Sequence, residues 1–365
     1  MGFELENIEA EGAARTSPTV AQIPVLMGPT GSGKTAVAVQ IARRFPLTAI
    51  VADLRQVMRG MEIGAAQPTP AELAILPHRL SGVLDPSQDI TVNDWRRLAQ
   101  DAIRETLADG RIPLLLGGSG MCVGALVRGE RYDAPPAPIL RRTLIEWVGR
   151  DGLKQVAELA APLVKDLMRI DEFSNRQRVI RAVERYAFLS RESAPPPDTL
   201  PDDVRAGWSR QCKSWAALIN VADDSAEIST SSPQFDFAYK IFALLPDRDW
   251  LRARIEARAR AMFERGLLDE VRALLDSGMS REARALRGHG YPEALAVLDE
   301  RMSVEDAIER TTLNTARYAK RQITWIRHQF ADVTWIEVDA NRPPETAGGA
   351  IEEWIGESWR TFLNM

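Results

Sequence analysis

Apolar positions follow two rhythms along this chain. Ile23-Pro-Val-Leu-Met27 is a short continuous apolar run, followed by the glycine-rich stretch from Gly28 to Thr35 and an apolar-periodic segment reaching Phe45. A continuous run bounded by turn residues predicts a buried strand, and spacings of three and four predict a helix, so this region reads as strand, loop, helix. A second run, residues 47–52, predicts a strand ending just before Asp53. From Thr91 the pattern predicts a helix with Thr91 as N-cap, Asp94 three residues on and Gly110 as its stop. A third strand, 111–116, precedes Gly117-Gly-Ser-Gly120. Strands that are apolar on both faces and alternate with helices predict an α/β fold over about 22–128, a parallel sheet flanked by helices.

The character changes at Asp133-Ala-Pro-Pro-Ala-Pro138, after which the patterns are helical and rich in Arg and Ala. A helical insertion over about 129–235 is expected, with a proline-rich break at 193–203 and a polar stretch at 223–234 making 193–234 its linker. The α/β core is expected to resume over about 236–345. One long helix should run from after Pro246 to near Gly278, and another from near Ser303 past Trp325. Residues 1–21 are polar and are expected to be a disordered tail.

The length of 365 residues suits two domains. With 46 Lys and Arg against 51 Asp and Glu, the total charge of −5 points to no nucleic-acid or membrane partner. A total can hide a cluster, however. Between Arg310 and Ala331 there are five cations, Arg310, Arg317, Lys320, Arg321 and Arg327, and no acid. On a helix Arg317, Lys320, Arg321, Thr324, Arg327 and His328 share one face, while Ala319, Ile323, Ile326 and Phe330 share another. Such a stripe fits phosphate-backbone binding or an ordinary solvated face. Gln322 and Trp325 beside it offer a base-reading amide and a stacking or core ring. No run of about 18 apolar residues occurs, so no membrane partner is expected. Glu4, Glu6, Glu9 and Glu11 argue against a signal peptide, and Cys122 and Cys212 have no CxxC spacing, so a reducing cytoplasm is the expected location.

The chemistry begins at Gly28-Pro29-Thr30-Gly31-Ser32-Gly33-Lys34-Thr35, which fits GxxxxGK[ST] between a predicted strand and a predicted helix. Its glycines let backbone N–H groups turn toward phosphate oxygens, the helix start adds positive potential, Lys34 adds a charge and Thr35 a hydroxyl for Mg²⁺. The motif specifies a polyphosphate, ATP or another, without saying which. No metal-binding acid follows the third strand; the acid follows the second, as Asp53, with Leu54, Arg55 and Gln56 after it. An Asp there can act as a base toward whatever attacks the phosphate-bearing molecule, or simply cap a turn. Arg287 is the candidate anion contact in its loop, and His289 reads as a loop histidine.

Together these residues resemble the tRNA dimethylallyltransferases, the IPP transferase family, over roughly 23–340. The likeness rests on the phosphate loop, Asp53-x-x-Gln56-x-x-Arg59-Gly60, Ile63-Gly64, Pro77-His78-Arg79-Leu80, Asp85-Pro86, Gly117–Gly120, Gln177-Arg178-x-x-Arg181-Ala182-x-Glu184, Arg287-x-x-Gly290-Tyr291 and Lys320-Arg-Gln-x-Thr-Trp-x-Arg327. The resemblance implies a P-loop NTPase-like core whose loop, with Ser119 nearby, holds dimethylallyl diphosphate and Mg²⁺. The allyl group would pass to N6 of adenosine 37, next to the anticodon of tRNAs that read U-starting codons, giving N6-isopentenyladenosine. It further implies that Asp53 takes the N6 proton and that Arg287 joins Lys34 in gripping the diphosphate. The anticodon stem-loop would be held by Gln177, Arg178 and Arg181, by Lys320, Arg321, Gln322, Thr324, Trp325 and Arg327, and by Asp53 to Gln56 with Tyr291. The insertion would be a mobile domain closing on the RNA, in a protein acting as a monomer. This chain has Leu54, Met58, Ala65, Gln67, Ser119 and Cys122 where the family usually has Ser, Tyr, Thr, Lys, Thr and Tyr. Prenylation of free AMP, ADP or ATP, a P-loop small-molecule kinase, and a catalytically weakened tRNA-binding homologue are the alternative readings.

Overall fold

The computed structural model describes residues 22–88, 90–129, 137–165, 167, 173–222 and 237–363. Six parallel strands form one sheet in the order β3-β2-β4-β1-β5-β6: β1 Ile23–Met27, β2 Leu47–Val51, β3 His78–Arg79, β4 Ile112–Gly117, β5 Tyr239–Pro246 and β6 Val333–Val338. Every position of β1, β2 and β4 is buried, as a parallel sheet covered on both faces requires, and this is why their sequences are continuously apolar. The helices α1 Lys34–Ala42, α2 Pro70–Ile75, α3 Val92–Ala108 and α4 Gly120–Val127 precede the helical segment. After it come α9 Arg248–Glu264, α10 Leu267–Asp276, α11 Tyr291–Leu298, α12 Val304–Gln329, α13 Gly349–Ser358 and α14 Arg360–Leu363. One core gathers Trp95, Met262, Tyr291 and Ile326, and a second gathers Ile41, Phe242, Ile355 and Trp359.

The register sets the site. Met27 lies opposite Gly117 on one side and Ala243 on the other, and Val51 lies opposite Leu116. The carboxyl ends of β1, β2 and β4 therefore stand side by side. The phosphate loop, Asp53 and the Gly117–Gly120 turn emerge together at the carboxyl end of the sheet, where open α/β sheets bind ligands.

The described residues from 137 to 222 form a separate compact unit of four helices, α5 Pro138–Asp151, α6 Leu153–Val164, α7 Arg176–Leu189 and α8 Asp202–Ala222. It has its own core, in which Leu140, Trp147, Val183 and Trp208 are fully buried.

The elements depart from the expectations in several places. The long helix expected between Pro246 and Gly278 is two, because Gly266 takes φ +99° at the junction and α10 starts afresh from it. Residues 202–222, expected within a linker, form α8, whereas the polar stretch 223–234 lies outside the described residues. The first helix stops at Ala42, short of Phe45. Strands β5 and β6 were not anticipated, and the core continues past 345, with Ile351, Ile355 and Trp359 packed against the sheet. Thr91 and Asp94 make the expected reciprocal cap of α3, and Ser303 caps α12. The expected tail, 1–21, lies outside the described residues.

Candidate active site

A cleft of about 260 Å³ opens at this end of the sheet. Its floor is the phosphate loop, where Gly31 and Gly33 adopt φ near +88° and +87°, the left-handed conformation that only glycine takes without strain. The α1 helix begins at Lys34, so its unpaired N–H groups point toward the loop. Lys34 Nζ donates to the carbonyls of Gly28 and Pro29, both at 3.0 Å. Burial first, then the nearby Arg258 charge, lowers the Lys34 pKa to about 8. Thr30, Gly31, Gly33 and Thr35 also line the cleft, while Ser32 is fully buried and its hydroxyl has no hydrogen-bond partner among the described residues. Ser119 caps α4 through Cys122 N, and it is not among the cleft-lining residues. Cys122 is fully buried, and burial pushes its thiol up to about 12, which makes it a packing residue.

Asp53 faces the loop from the end of β2. Its Oδ1 accepts the Arg55 backbone N–H at 2.9 Å and meets Arg55 Nε at 3.6 Å. The Asp53 charge is the chief reason the Arg55 pKa is raised. Leu54 turns into the core, whereas Arg55 and Gln56 line the cleft. Gln56 Nε2 donates to the carbonyls of Ala65 and Ala66, each at 3.2 Å, and thereby braces a wall made by Gly64, Ala65 and Ala66. From behind, the Glu270 carboxylate accepts N–H groups of Ile63 at 2.6 Å and Gly64 at 2.9 Å, together with the Tyr291 hydroxyl at 2.8 Å. A Cβ on Gly64 would lie 2.2 Å from the Tyr291 ring, so only glycine fits. Burial raises the Glu270 pKa, the expected direction for a carboxylate screened from water.

The opposite wall, Arg254 and Arg258 of α9, was not expected from the sequence. Arg254 Nε donates to Gly31 O at 3.1 Å and its guanidinium stacks over Trp250. Arg258, half-buried, is lowered to about 10, mainly by burial and then by the Arg55 charge. Among the described residues no oxygen hydrogen-bonds it. Four cationic side chains, Lys34, Arg55, Arg254 and Arg258, and two acids, Asp53 and Glu72, line the cleft, a surplus suited to a polyanion. The only hint in the sequence was their spacing of four on a helix.

The other expected residues fall into three groups. Arg287 is exposed, donates to Glu282 O at 3.1 Å, and does not line the cleft. In its place stand the α9 arginines, and His289 from the same loop does line the cleft. Tyr291 is fully buried with its hydroxyl on Glu270, so it supports the wall and has no surface to offer RNA. Gln322 is also buried: its Oε1 accepts Thr30 N–H at 2.8 Å and its Nε2 donates to Gly118 O at 2.8 Å, which commits both ends of the amide to the phosphate loop and the turn after β4. Trp325 packs on Gly120, where a Cβ would lie 2.4 Å from the ring, and on Phe330 and Arg128. Arg317, Lys320, Arg321, Thr324, Arg327 and His328 are all exposed along α12, while Ala319 and Ile326 are buried; Phe330 is buried too, but just beyond the helix end. In the four-helix unit, Gln177 and Arg178 are exposed on α7. Arg181 shares the buried Glu184 with Arg141, whose two bonds are each 2.6 Å.

Residues 56–329 match the family described as IPP transferase, and residues 21–79 match a family described as isopentenyl transferase. The chain belongs to the IPP transferase family. Its relatives include the tRNA dimethylallyltransferase of Thermus thermophilus, 36% identical over 91% of this chain and 97% of that one. That of Anaeromyxobacter is also 36% identical, over 86% and 92%. The tRNA isopentenylpyrophosphate transferase of Bacillus halodurans has a similar crystal structure, with a TM-score of 0.60 and 29% identity over 93% of this chain and 99% of that one. A eukaryotic dimethylallyltransferase caught acting on tRNA shares the fold, with a TM-score of 0.60 at 20% identity over 94% of this chain and 80% of that one. The IPP transferase family is an enzyme family of P-loop NTPase-like fold, and the parallel sheet with its phosphate loop agrees with the fold expected from the sequence. Among the described residues, no helix is long and apolar enough to cross a membrane.

Proposed function

We propose that the chain transfers the dimethylallyl group of dimethylallyl diphosphate to N6 of adenosine 37 in the tRNA anticodon loop. The observation that carries this reading is a phosphate loop and a carboxylate, Asp53, lining one cleft under a surplus of cations. The diphosphate fits between the loop N–H groups with Lys34 on one side and Arg254 and Arg258 on the other. As N6 forms its bond to the allyl carbon, the carbon–oxygen bond to diphosphate breaks, and the N6 proton passes to Asp53. The charge that grows on the leaving diphosphate meets Lys34 and Arg258, half-buried and already in place. To reach Asp53 the adenine must leave its stack.

The residues also fit a magnesium ion held mainly by diphosphate oxygens. Thr35 lines the cleft, and among the described residues no cluster of three or more His, Cys, Asp or Glu forms a separate cage. Thr35 would hold the ion, which when bound neutralises charge on the leaving group. The exposed cations of α12, Arg317, Lys320, Arg321 and Arg327, support a phosphate-backbone contact for the anticodon stem-loop, as do Gln177 and Arg178 on α7.

Incubation with unmodified tRNA, dimethylallyl diphosphate and Mg²⁺, followed by digestion to nucleosides and mass spectrometry, tests the reading. Prenylated adenosine is expected with the wild type and not with Asp53→Ala. ATP consumption without prenylation would indicate a kinase, and RNA binding with no product from any allyl donor would indicate a binding homologue.

A further inference from the structure

Gln322 sits at an unusual junction. It lies on α12 directly after Lys320 and Arg321, which are exposed, yet Gln322 itself is only 7% exposed and its amide meets the loops at the carboxyl end of the sheet. One end of its amide takes the N–H of Thr30 in the phosphate loop, and the other donates to the carbonyl of Gly118 in the turn after β4, both at 2.8 Å. The fit is close, since a Cβ on Gly118 would lie 2.4 Å from Nε2. Three segments far apart in sequence are therefore tied through one planar group with a fixed donor–acceptor geometry.

Thr30 N–H is one of the loop donors that the motif alone would aim at phosphate. Here it is already satisfied by α12, which packs against α9, and so the loop has a defined shape before an anion arrives. A preorganised loop binds more tightly than one that must be ordered on binding. We infer that Gln322 is a positioning residue for the diphosphate site: it sets the phosphate loop against the Gly117–Gly120 turn and does not itself contact RNA. This inference rests on the reading of the cleft as a diphosphate site.

The test compares two affinities in the full-length protein, for inorganic diphosphate with Mg²⁺ by calorimetry and for an unmodified anticodon stem-loop RNA by fluorescence anisotropy. Gln322→Met keeps the side-chain length and removes both hydrogen bonds. Two lost neutral hydrogen bonds predict about a tenfold weaker diphosphate affinity, with RNA affinity within about twofold of wild type. In turnover the KM for dimethylallyl diphosphate should rise by a similar factor, while kcat changes by less than about threefold. Gln322→Glu, which keeps the acceptor for Thr30 N–H and removes only the donor to Gly118 O, is expected to weaken diphosphate binding in the same direction and serves if the Met variant does not fold, as judged by its thermal transition. Wild-type diphosphate affinity in a folded Gln322→Met protein, or a loss confined to RNA, would overturn the inference and return Gln322 to base reading. Failure of the wild type to bind diphosphate would overturn the prenyl-transfer reading and this inference with it.

Discussion

Lys34 and Arg258 in the cleft, and Lys320 and Arg321 on α12, carry the same charge in opposite surroundings. The first pair is pressed toward neutrality by burial and by neighbouring cations, down to about 8 and about 10. The second pair is exposed on a face with no acid between Arg310 and Ala331. A cation held out of water with no full partner is unfavourable until an anion arrives, and its interaction with that anion is then strong and weakly screened. A solvated row acts through its summed field and releases counterions, so its effect fades with salt. One molecule thus has an interior suited to a small, highly charged group and an exterior suited to a long, evenly charged one.

The largest effect should come from the acid that the interior cations surround. Asp53→Ala is expected to lower the rate of prenyl transfer about 10²–10⁴-fold with tRNA binding largely retained, measured by single-turnover kinetics. A rate within threefold of wild type would remove Asp53 from proton transfer.

Next, Arg258→Met should weaken diphosphate binding by about 1.5–3 kcal/mol, the range for a charge-assisted hydrogen bond, while the thermal midpoint of the free protein does not fall. A lower midpoint with unchanged diphosphate affinity would make Arg258 a structural residue and erase the contrast. The pH dependence follows from Lys34, whose charged form binds the anion. In the free protein it is charged below about pH 8 and loses its proton above, and bound diphosphate raises its pKa again. Affinity for dimethylallyl diphosphate should therefore fall as pH rises through about 8, by at most about tenfold per unit, and Lys34→Met should flatten that slope.

The smallest effect at ordinary salt belongs to the exterior. Lys320→Ala combined with Arg321→Ala should weaken tRNA binding and reduce its log–log salt slope by about 2, roughly 1 for each phosphate contact. An unchanged slope would mean that this face is simply solvated.

What could be read from the sequence was local. The phosphate loop, the strand before it and Asp53 lie within a short stretch, and each announces itself through glycine spacing or a continuous apolar run. The exposed stripe on α12 followed from helical periodicity. Arg254, and the contact that Gln322 makes, escaped because what defines them is contact with the phosphate loop across 223 and 292 residues of sequence. Periodicity gives the face of a helix but not which segment that face meets. Tyr291 was expected at the RNA from the family resemblance, and Gln322 from that resemblance and from its place beside the basic stripe. The Glu270 carboxylate and two backbone groups make their burial tolerable instead. Gly64 and Tyr291 appear as separate motif residues, and only the packing reveals them as one contact.

Gly33, at the mouth of α1, is covered from outside by Pro344, close enough that a Cβ would stand 2.3 Å from the proline ring. Pro344 follows β6 and lies beyond residue 329, where the family match ends. The last strand and the turn after it thus act as a buttress behind the anion cradle. Ending the polypeptide at residue 329 would remove that buttress and expose the back of the cradle to water.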